Sequence, residues 1–184
     1  MSDESQLIRA AIGGDPSAFG QLVRLHQDRL YNAIVHFIGD RTEAEDIVQE
    51  AFLQAYLKLV TFQGNSAFYT WLYRIAFNTA VSRRRRRRAE TSIELVREQS
   101  GNEPEDLGDR PDSQLDRTEQ ASQLYAALDR LSDEHRVILV LREIDGCDYE
   151  AIAAVLEINV GTVRSRLHRA RTQLRDKLRQ MQAE

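Results

Sequence analysis

Six consecutive arginines, Arg83 to Arg88, follow the aromatic-rich stretch "SAFYTWLYRIAFNTAVS" in a chain whose formal net charge is −4. Guanidinium groups in such a run neutralise phosphates, and aromatic faces beside them stack bases at about 1–3 kcal/mol each. A single strand of DNA or RNA is the ligand that uses both. Two plainer readings stay open: a solvated helix end or import-like basic patch for the arginines, and a core role for the aromatics. A second group, the carboxylates Glu43, Glu45, Asp46 and Glu50, has the residue types of a metal or acid-base site. No histidine and no glycine-rich phosphate loop accompanies them, so an enzyme is the poor reading, and neither a metal nor another cofactor is expected.

The distribution of charge shows which elements must present these groups. Seven arginines and no acid lie between Arg74 and Arg88, and seven basic residues stand against Asp176 alone between Arg164 and Arg179. Between the two basic blocks, Ala89 to Glu119 holds ten acids, three arginines and two of the three prolines. That acidic stretch reads as a flexible linker between two small helical domains, because structureless segments of its length are uncommon inside one compact domain. The predicted division is 1–88, a linker over 89–118, and 119–184. The fold class expected is all-α. At 184 residues, 42% hydrophobic, the chain is long enough for each part to bury a core. Its longest apolar runs, such as "VILVL", fall short of the roughly 20 residues of a membrane span, and "MSDESQ" has no signal-peptide character, so a cytoplasmic location is expected. Cys147, the lone cysteine, reads as a small buried filler.

Three helices are predicted in the first part. Asp15 and Pro16 cap and start the first, whose apolar stripe includes Phe19, Leu22, Leu30, Ile34 and Phe37. Thr42 and Glu45 have capping-box spacing ahead of the second, which buries Ala44, Ile47, Val48, Ala51, Ala55 and Leu59. Its opposite face, Asp46, Gln49, Glu50 and Leu53, is either solvated or a dock for a basic partner helix. The third begins near Ala67 and carries two rows, a core stripe of Phe68, Trp71, Leu72, Ile75, Ala76 and Thr79, and an aromatic row of Tyr69, Tyr73 and Phe77. One helix rarely buries both rows, which is why the second row is a candidate base-stacking surface.

The last part reads as a helix-turn-helix. A helix from Asp133, a break at Gly146, a short helix capped by Asp148, a turn near Glu157 to Asn159, and a long helix to about Leu178 are the expected elements. Val163 and Leu167 face inward on the last helix, leaving Thr162, Arg164, Ser165, Arg166, His168 and Arg169 at the outer end that such motifs present to the major groove. A generic helical hairpin would use the same apolar spacing.

The stretches "DIVQEAFLQAYLKL", "GNSAFYTWLYRIAFNTA" and "DYEAIAAVLEINVGTVRSRLHRAR" resemble regions 2.2, 2.3 to 2.4 and 4.2 of bacterial RNA polymerase sigma factors. The resemblance is to the extracytoplasmic-function (ECF) group of the sigma-70 family, and it runs in order from about Phe19 to Arg179. It implies that Asp46, Gln49, Glu50 and Leu53 dock on core RNA polymerase. It also implies that the loop and helix carrying Gly64, Asn65, Ser66, Ala67, Phe68, Tyr69, Trp71, Arg74 and Asn78 receive the opened minus-10 element of promoter DNA. Arg83, Arg84 and Arg87 would hold phosphates nearby. Thr162, Arg164, Ser165, Arg166, His168, Arg169 and Arg171 would meet the minus-35 element. Trp71 has two conflicting assignments, core by periodicity and DNA by resemblance, and His168 stands where an apolar or aromatic residue is usual. The controlling partner implied is an anti-sigma factor. A stand-alone helix-turn-helix regulator is the alternative, although it leaves the aromatic and arginine helix without a purpose.

Overall fold

A computed structural model of the chain describes residues 3–97 and 123–182. Among these the regular elements are all helical. The first half comprises α1 (Asp3–Ile12), α2 (Pro16–Ile38), α3 (Arg41–Lys58) and α4 (Phe68–Arg97), with a 3-10 turn, Leu59–Thr61, after α3. The second comprises α5 (123–129), α6 (Asp133–Leu139) continued by a π-helical turn Val140–Ile144, α7 (Tyr149–Leu156) and α8 (Val160–Gln182). Among the described residues, no helix is long and apolar enough to cross a membrane.

Local chemistry sets most of the boundaries. Asp15 accepts a hydrogen bond from the Ser17 amide at 2.8 Å, Pro16 takes the first helical position, and α2 ends at Gly39, whose φ of 85° suits glycine. The cap of α3 differs from the prediction. Asp40, in extended backbone just after Gly39, accepts from the Glu43 amide at 2.8 Å, so Thr42 already lies inside the first turn and has no capping role. The predicted stripe of α3 is buried throughout. Helix α4 continues to Arg97, beyond the expected linker start at Ala89, because "AETSIELVR" contains good helix formers and no breaker. Residues 98–118, the rest of the predicted linker, lie outside the described residues. The sequence reading did not separate α1, which packs on α2 through Leu7, Ile8 and buried Ala11.

Helices α2, α3 and α4 enclose the first core. Leu22, Leu30, Ile34 and Phe37 are fully buried, each contributing about 1.5–3 kcal/mol relative to exposure. Ile152 and Val155 of α7 are buried with Val163, Leu167 and Ala170 of α8 in the second half, and these residues are part of one hydrophobic cluster with those of the first half. The predicted helix-turn-helix is present: Asp148 accepts from the Ala151 amide at 2.7 Å, and Glu157 makes the turn in the left-handed region at φ 54°. Helix α8 runs past Leu178 to Gln182.

Both aromatic rows of α4 are largely buried, contrary to expectation. Phe68, Trp71, Leu72 and Ala76 face the first core, while Tyr73 and Phe77 are covered where the second half packs on α4 and α2. Tyr73 donates to Asp145 at 3.0 Å, and Phe77 meets Phe37 edge to face at 5.6 Å. A helix can bury two faces when a second unit closes over it, which spacing within one helix cannot reveal.

A polar seam holds the two halves together. The Asp145 carboxylate, nearly buried, accepts from Arg29 Nε and Nη2, each at 2.9 Å, and from the Cys147 thiol at 3.0 Å as well as from Tyr73. Burial, with Asp145 adding to it, pushes the Cys147 thiol up to about 12, so it is a small protonated filler, as expected. At the other end of the seam, Arg84 of α4 reaches Asp133 at 2.8 Å and Asp129 at 3.1 Å. Asp129 also pairs with Arg136, a fully buried guanidinium whose Nη2 donates to the His36 carbonyl at 3.3 Å. Burial would raise the Asp129 carboxyl, but Arg136 and Arg84 outweigh it and hold it below the usual carboxylate range.

His36 of α2 stacks on Tyr125 of α5, with ring centroids 5.6 Å apart, and its Nδ1 pairs with the Tyr125 hydroxyl. Burial holds the imidazole below its ordinary 6.5. The unfolded chain therefore binds the proton more readily, so this contribution to stability is complete above about pH 6.5 and is lost as pH falls through the folded value. The thermal midpoint should drop between pH 7.5 and 5.5 more steeply in the native protein than in His36→Gln, and parallel curves would contradict this.

Candidate nucleic-acid interface

The loop Gln63 to Ala67 leads from the 3-10 turn into α4. Gly64 has a φ of 70°, which lets the chain reverse there, and Asn65 donates its side-chain amide to Gln63 Oε1 at 3.1 Å. Gly64, Asn65 and Ala67 are exposed, and Ser66 is half-buried. Phe68 and Trp71 lie beneath them in an aromatic cluster with Phe62, at centroid separations of 5.3 to 5.8 Å. Trp71 is 9% exposed and packs in the core, where its periodicity placed it. Phe68 is likewise a supporting residue, since only 2% of it meets solvent.

Along α4 the groups divide by accessibility. Tyr69 is half-buried beneath Arg29, whose guanidinium carbon lies 5.0 Å from the ring centroid. Arg74 pairs with Glu157 of the second half at 2.9 Å, and Asn78 is exposed. In the arginine run, Arg83 meets Glu50 at 2.5 Å and Arg87 meets Glu43 at 3.1 Å across a groove of about 910 Å³ between α3 and α4. Arg84 is 4% exposed, so in this arrangement it is an interdomain tie and offers nothing to a phosphate. Arg85 and Arg86 are exposed. Sequence reasoning missed the acids Asp129, Asp133 and Asp145 that hold this helix, because their partners lie 45 to 72 residues away and no local spacing marks them.

The acidic face of α3 is as expected in register but larger in area. Asp46 and Gln49 are exposed, Glu50 is half-buried against Arg83 and Gln54, and Leu53 is 59% exposed. Leu57 at 69% and Val60 at 75% continue the row one and two turns on, with Tyr56 beside them. Four exposed large apolar groups, three at the end of α3 and Val60 in the 3-10 turn after it, form a surface that water does not favour and a partner would cover.

The outer end of α8 is built as a reading head. Asn159 accepts from the Thr162 amide at 2.7 Å and hydroxyl at 2.9 Å, fixing the helix start. Thr162 is thereby committed to the cap, and the Ser165 hydroxyl donates to the Thr162 carbonyl at 3.1 Å. Arg166 reaches Glu134 at 3.4 Å and Arg171 grips Glu143 at 2.6 Å, so both lean back on the domain. Arg164, Ser165, His168 and Arg169 point outward and are exposed. Among the described residues Arg164 and Arg169 have no carboxylate partner, which leaves two fork-shaped donors for base edges or phosphates.

Two family profiles match the chain: Sigma-70 region 2 over residues 22–90 and Sigma-70, region 4 over residues 121–174. The chain is 40% identical over 173 residues to the RNA polymerase sigma-H factor of Pseudomonas aeruginosa, covering 91% of this chain and 90% of that protein. To the ECF RNA polymerase sigma-E factor of Escherichia coli strain K12 it is 36% identical over 178 residues, covering 94% and 92%. Among solved structures, the sigma factor RpoE in complex with the anti-sigma factor NepR from Bartonella quintana matches with a TM-score of 0.67 and 29% identity, over 88% of this chain and 96% of that one.

Proposed function

Because the chain belongs to the sigma-70 family of RNA polymerase sigma factors, within its ECF group, we propose that its surfaces divide one task among three places: α3 for polymerase, α4 with its loop for the opened minus-10 strand, and α8 for the minus-35 duplex. As a sigma factor it binds core RNA polymerase and directs promoter recognition, melting and initiation. The chain works in the cytoplasm and has no catalysis of its own.

The observation that carries the assignment is the separation of three chemically different surfaces on one helical frame. The end of α3 is apolar with an acidic edge, suited to a partner helix. Asn65, Ser66 and their neighbours form an exposed loop at the head of α4, where a base leaving the stack can be received. Arg164 and Arg169, exposed on α8 and without a carboxylate partner among the described residues, are available for base edges in the major groove. Asp46, Gln49, Glu50 and Leu53 are the polymerase contacts. Gly64 to Ala67, Tyr69, Arg74, Asn78, Arg83 and Arg87 act on the downstream element.

Arg84, Tyr73 and Phe77 reach a strand only after the second half moves off α4. Opening about four base-pair steps forfeits about 6 kcal/mol of stacking, and two captured bases return about 2–6, so polymerase contacts must supply the remainder. An anti-sigma factor that bridges the two halves would hold them together, as the Bartonella complex names such a partner for its own sigma factor.

Transcription by core polymerase plus this chain on fragmented genomic DNA, with sequencing of transcript starts, tests the assignment. Starts should lie downstream of a paired motif at fixed spacing, and starts identical to those of polymerase without the chain would overturn it. In the same assay Arg164→Ala should relax base preference in the upstream motif at a cost of about 1–3 kcal/mol, while Arg175→Ala should lower affinity with no change of preference. Equal weakening on all upstream sequences in both variants would remove the reading role from Arg164.

A further inference from the structure

Helix α1 lies outside the matched family segments, which begin at residue 22, yet it forms one wall of a cavity at the loop that leads into α4. The cavity is about 280 Å³, just below the roughly 300–1,000 Å³ typical of drug-sized ligands, and so suits a single ring system. Its apolar lining is Phe62 and Phe68, edge to face at 5.7 Å, with Ile8 of α1. Glu4, Ser5 and Arg9 of α1 and Ser66 of the loop supply its polar side chains. A planar heterocycle resting on the half-buried Phe62, with Phe68 supporting that ring from beneath, would therefore have its edge against a carboxylate and a guanidinium.

Helix α1 is fastened at this place. Glu4 Oε1 pairs with His26 Nε2 at 2.8 Å, and the His26 ring lies 5.4 Å from Phe68. One imidazole thus joins α1, α2 and the first residue of α4. It occupies Oε1 of Glu4 and leaves Oε2 to accept from another donor.

We propose that α1 completes the pocket for the flipped minus-10 base, with Glu4 accepting from the base's exocyclic amino group and Arg9 donating to a neighbouring ring nitrogen or carbonyl. This rests on the assignment of the Gly64 to Ala67 loop to the opened strand. A carboxylate accepts from an amino group and repels a carbonyl, so cytosine, adenine and guanine, each of which carries an exocyclic amino group, are favoured over thymine, which has none. The ligand class is an unstacked, amino-bearing base of single-stranded DNA.

The test uses holoenzyme on pre-melted promoter templates that carry each of the four bases, in turn, at every downstream-element position. Glu4→Gln keeps a polar group of the same shape beside His26 but makes its outer edge able to donate. It should reduce the preference for an amino-bearing base at one position by about tenfold or more, with preferences elsewhere and polymerase affinity unchanged. Arg9→Ala should weaken binding of the preferred base at that same position. Asn65→Ala with Ser66→Ala provides the comparison. If that variant shifts the preference at one position while Glu4→Gln and Arg9→Ala do not, the loop reads the base and α1 takes no part. If none of the three shifts any position, the loop assignment falls as well. A uniform loss at every position in Glu4→Gln, matched by His26→Ala, would reduce the pair to a fastening of α1 and would overturn the proposal.

Discussion

Leu53→Asp combined with Leu57→Asp is expected to cut affinity for core RNA polymerase by about a thousandfold while leaving the fold intact. Both side chains project from α3 and are 59% and 69% exposed, so aspartate at either place displaces no core contact. Apolar anchors at the centre of an interface typically cost about 2 kcal/mol or more each when lost, and about 4 kcal/mol corresponds to three decades in the dissociation constant. The acidic edge contributes differently. Asp46→Lys with Glu50→Lys should act mainly on the association rate and its salt dependence, and Glu50→Lys would also set a like charge against Arg83. Binding of labelled chain to core polymerase, followed by anisotropy beside a far-ultraviolet spectrum, separates lost docking from lost structure. Tight binding by the leucine double variant would move the polymerase contact off this face.

The second large effect is expected at the buried end of the interdomain seam. Asp129→Ala removes the only carboxylate within ion-pair distance of Arg136 among the described residues and one of two that hold Arg84. Both guanidiniums are buried, at 0% and 4% exposure. Stranding a buried charge typically costs about 3–5 kcal/mol, and since Asp129 is itself half exposed, the low end, about 3 kcal/mol, is expected. For a chain of this size that is about 6–12 °C in the thermal midpoint. Arg136→Met should cost far less, within about 1 kcal/mol. It fills the space with an apolar side chain, leaves Asp129 with Arg84 and water, and removes Nε of Arg136, a buried donor that has no partner. Scanning calorimetry of the two variants decides the matter, and equal losses would show that Arg136 matters for its packing instead of its charge balance.

These two sites differ in how far they could be foreseen. The acidic-apolar face of α3 was legible because Asp46, Gln49, Glu50 and Leu53 follow from one periodic stripe, Ala44 to Leu59, and its burial fixes where the opposite side points. The helix-turn-helix was legible for the same reason: Ile152, Val163 and Leu167 define the inside, and Asp148 and the Glu157 to Asn159 turn mark its ends. The cap of α3 was misplaced by two residues, since Asp40 and Thr42 are both competent caps and the backbone after Gly39 chose between them.

The seam and the cavity beside α1 follow from no local pattern. Tyr73 and Phe77 have the same side chains whether they face water, a nucleic acid or another domain, and only the packing of the second half on α4 puts them against Asp145 and Phe37. The six arginines are equally uncommitted as a run, yet Arg84 is buried on two aspartates while Arg85 and Arg86 remain exposed. Helical periodicity is a property of neighbours three and four positions apart, and it tells which residues lie inside each helix. Which helices meet is set by non-local burial and charge pairing between residues tens of positions apart. The linear order of the chain therefore specified the faces of six helices, and the assembled structure specified which of those faces were left for a partner.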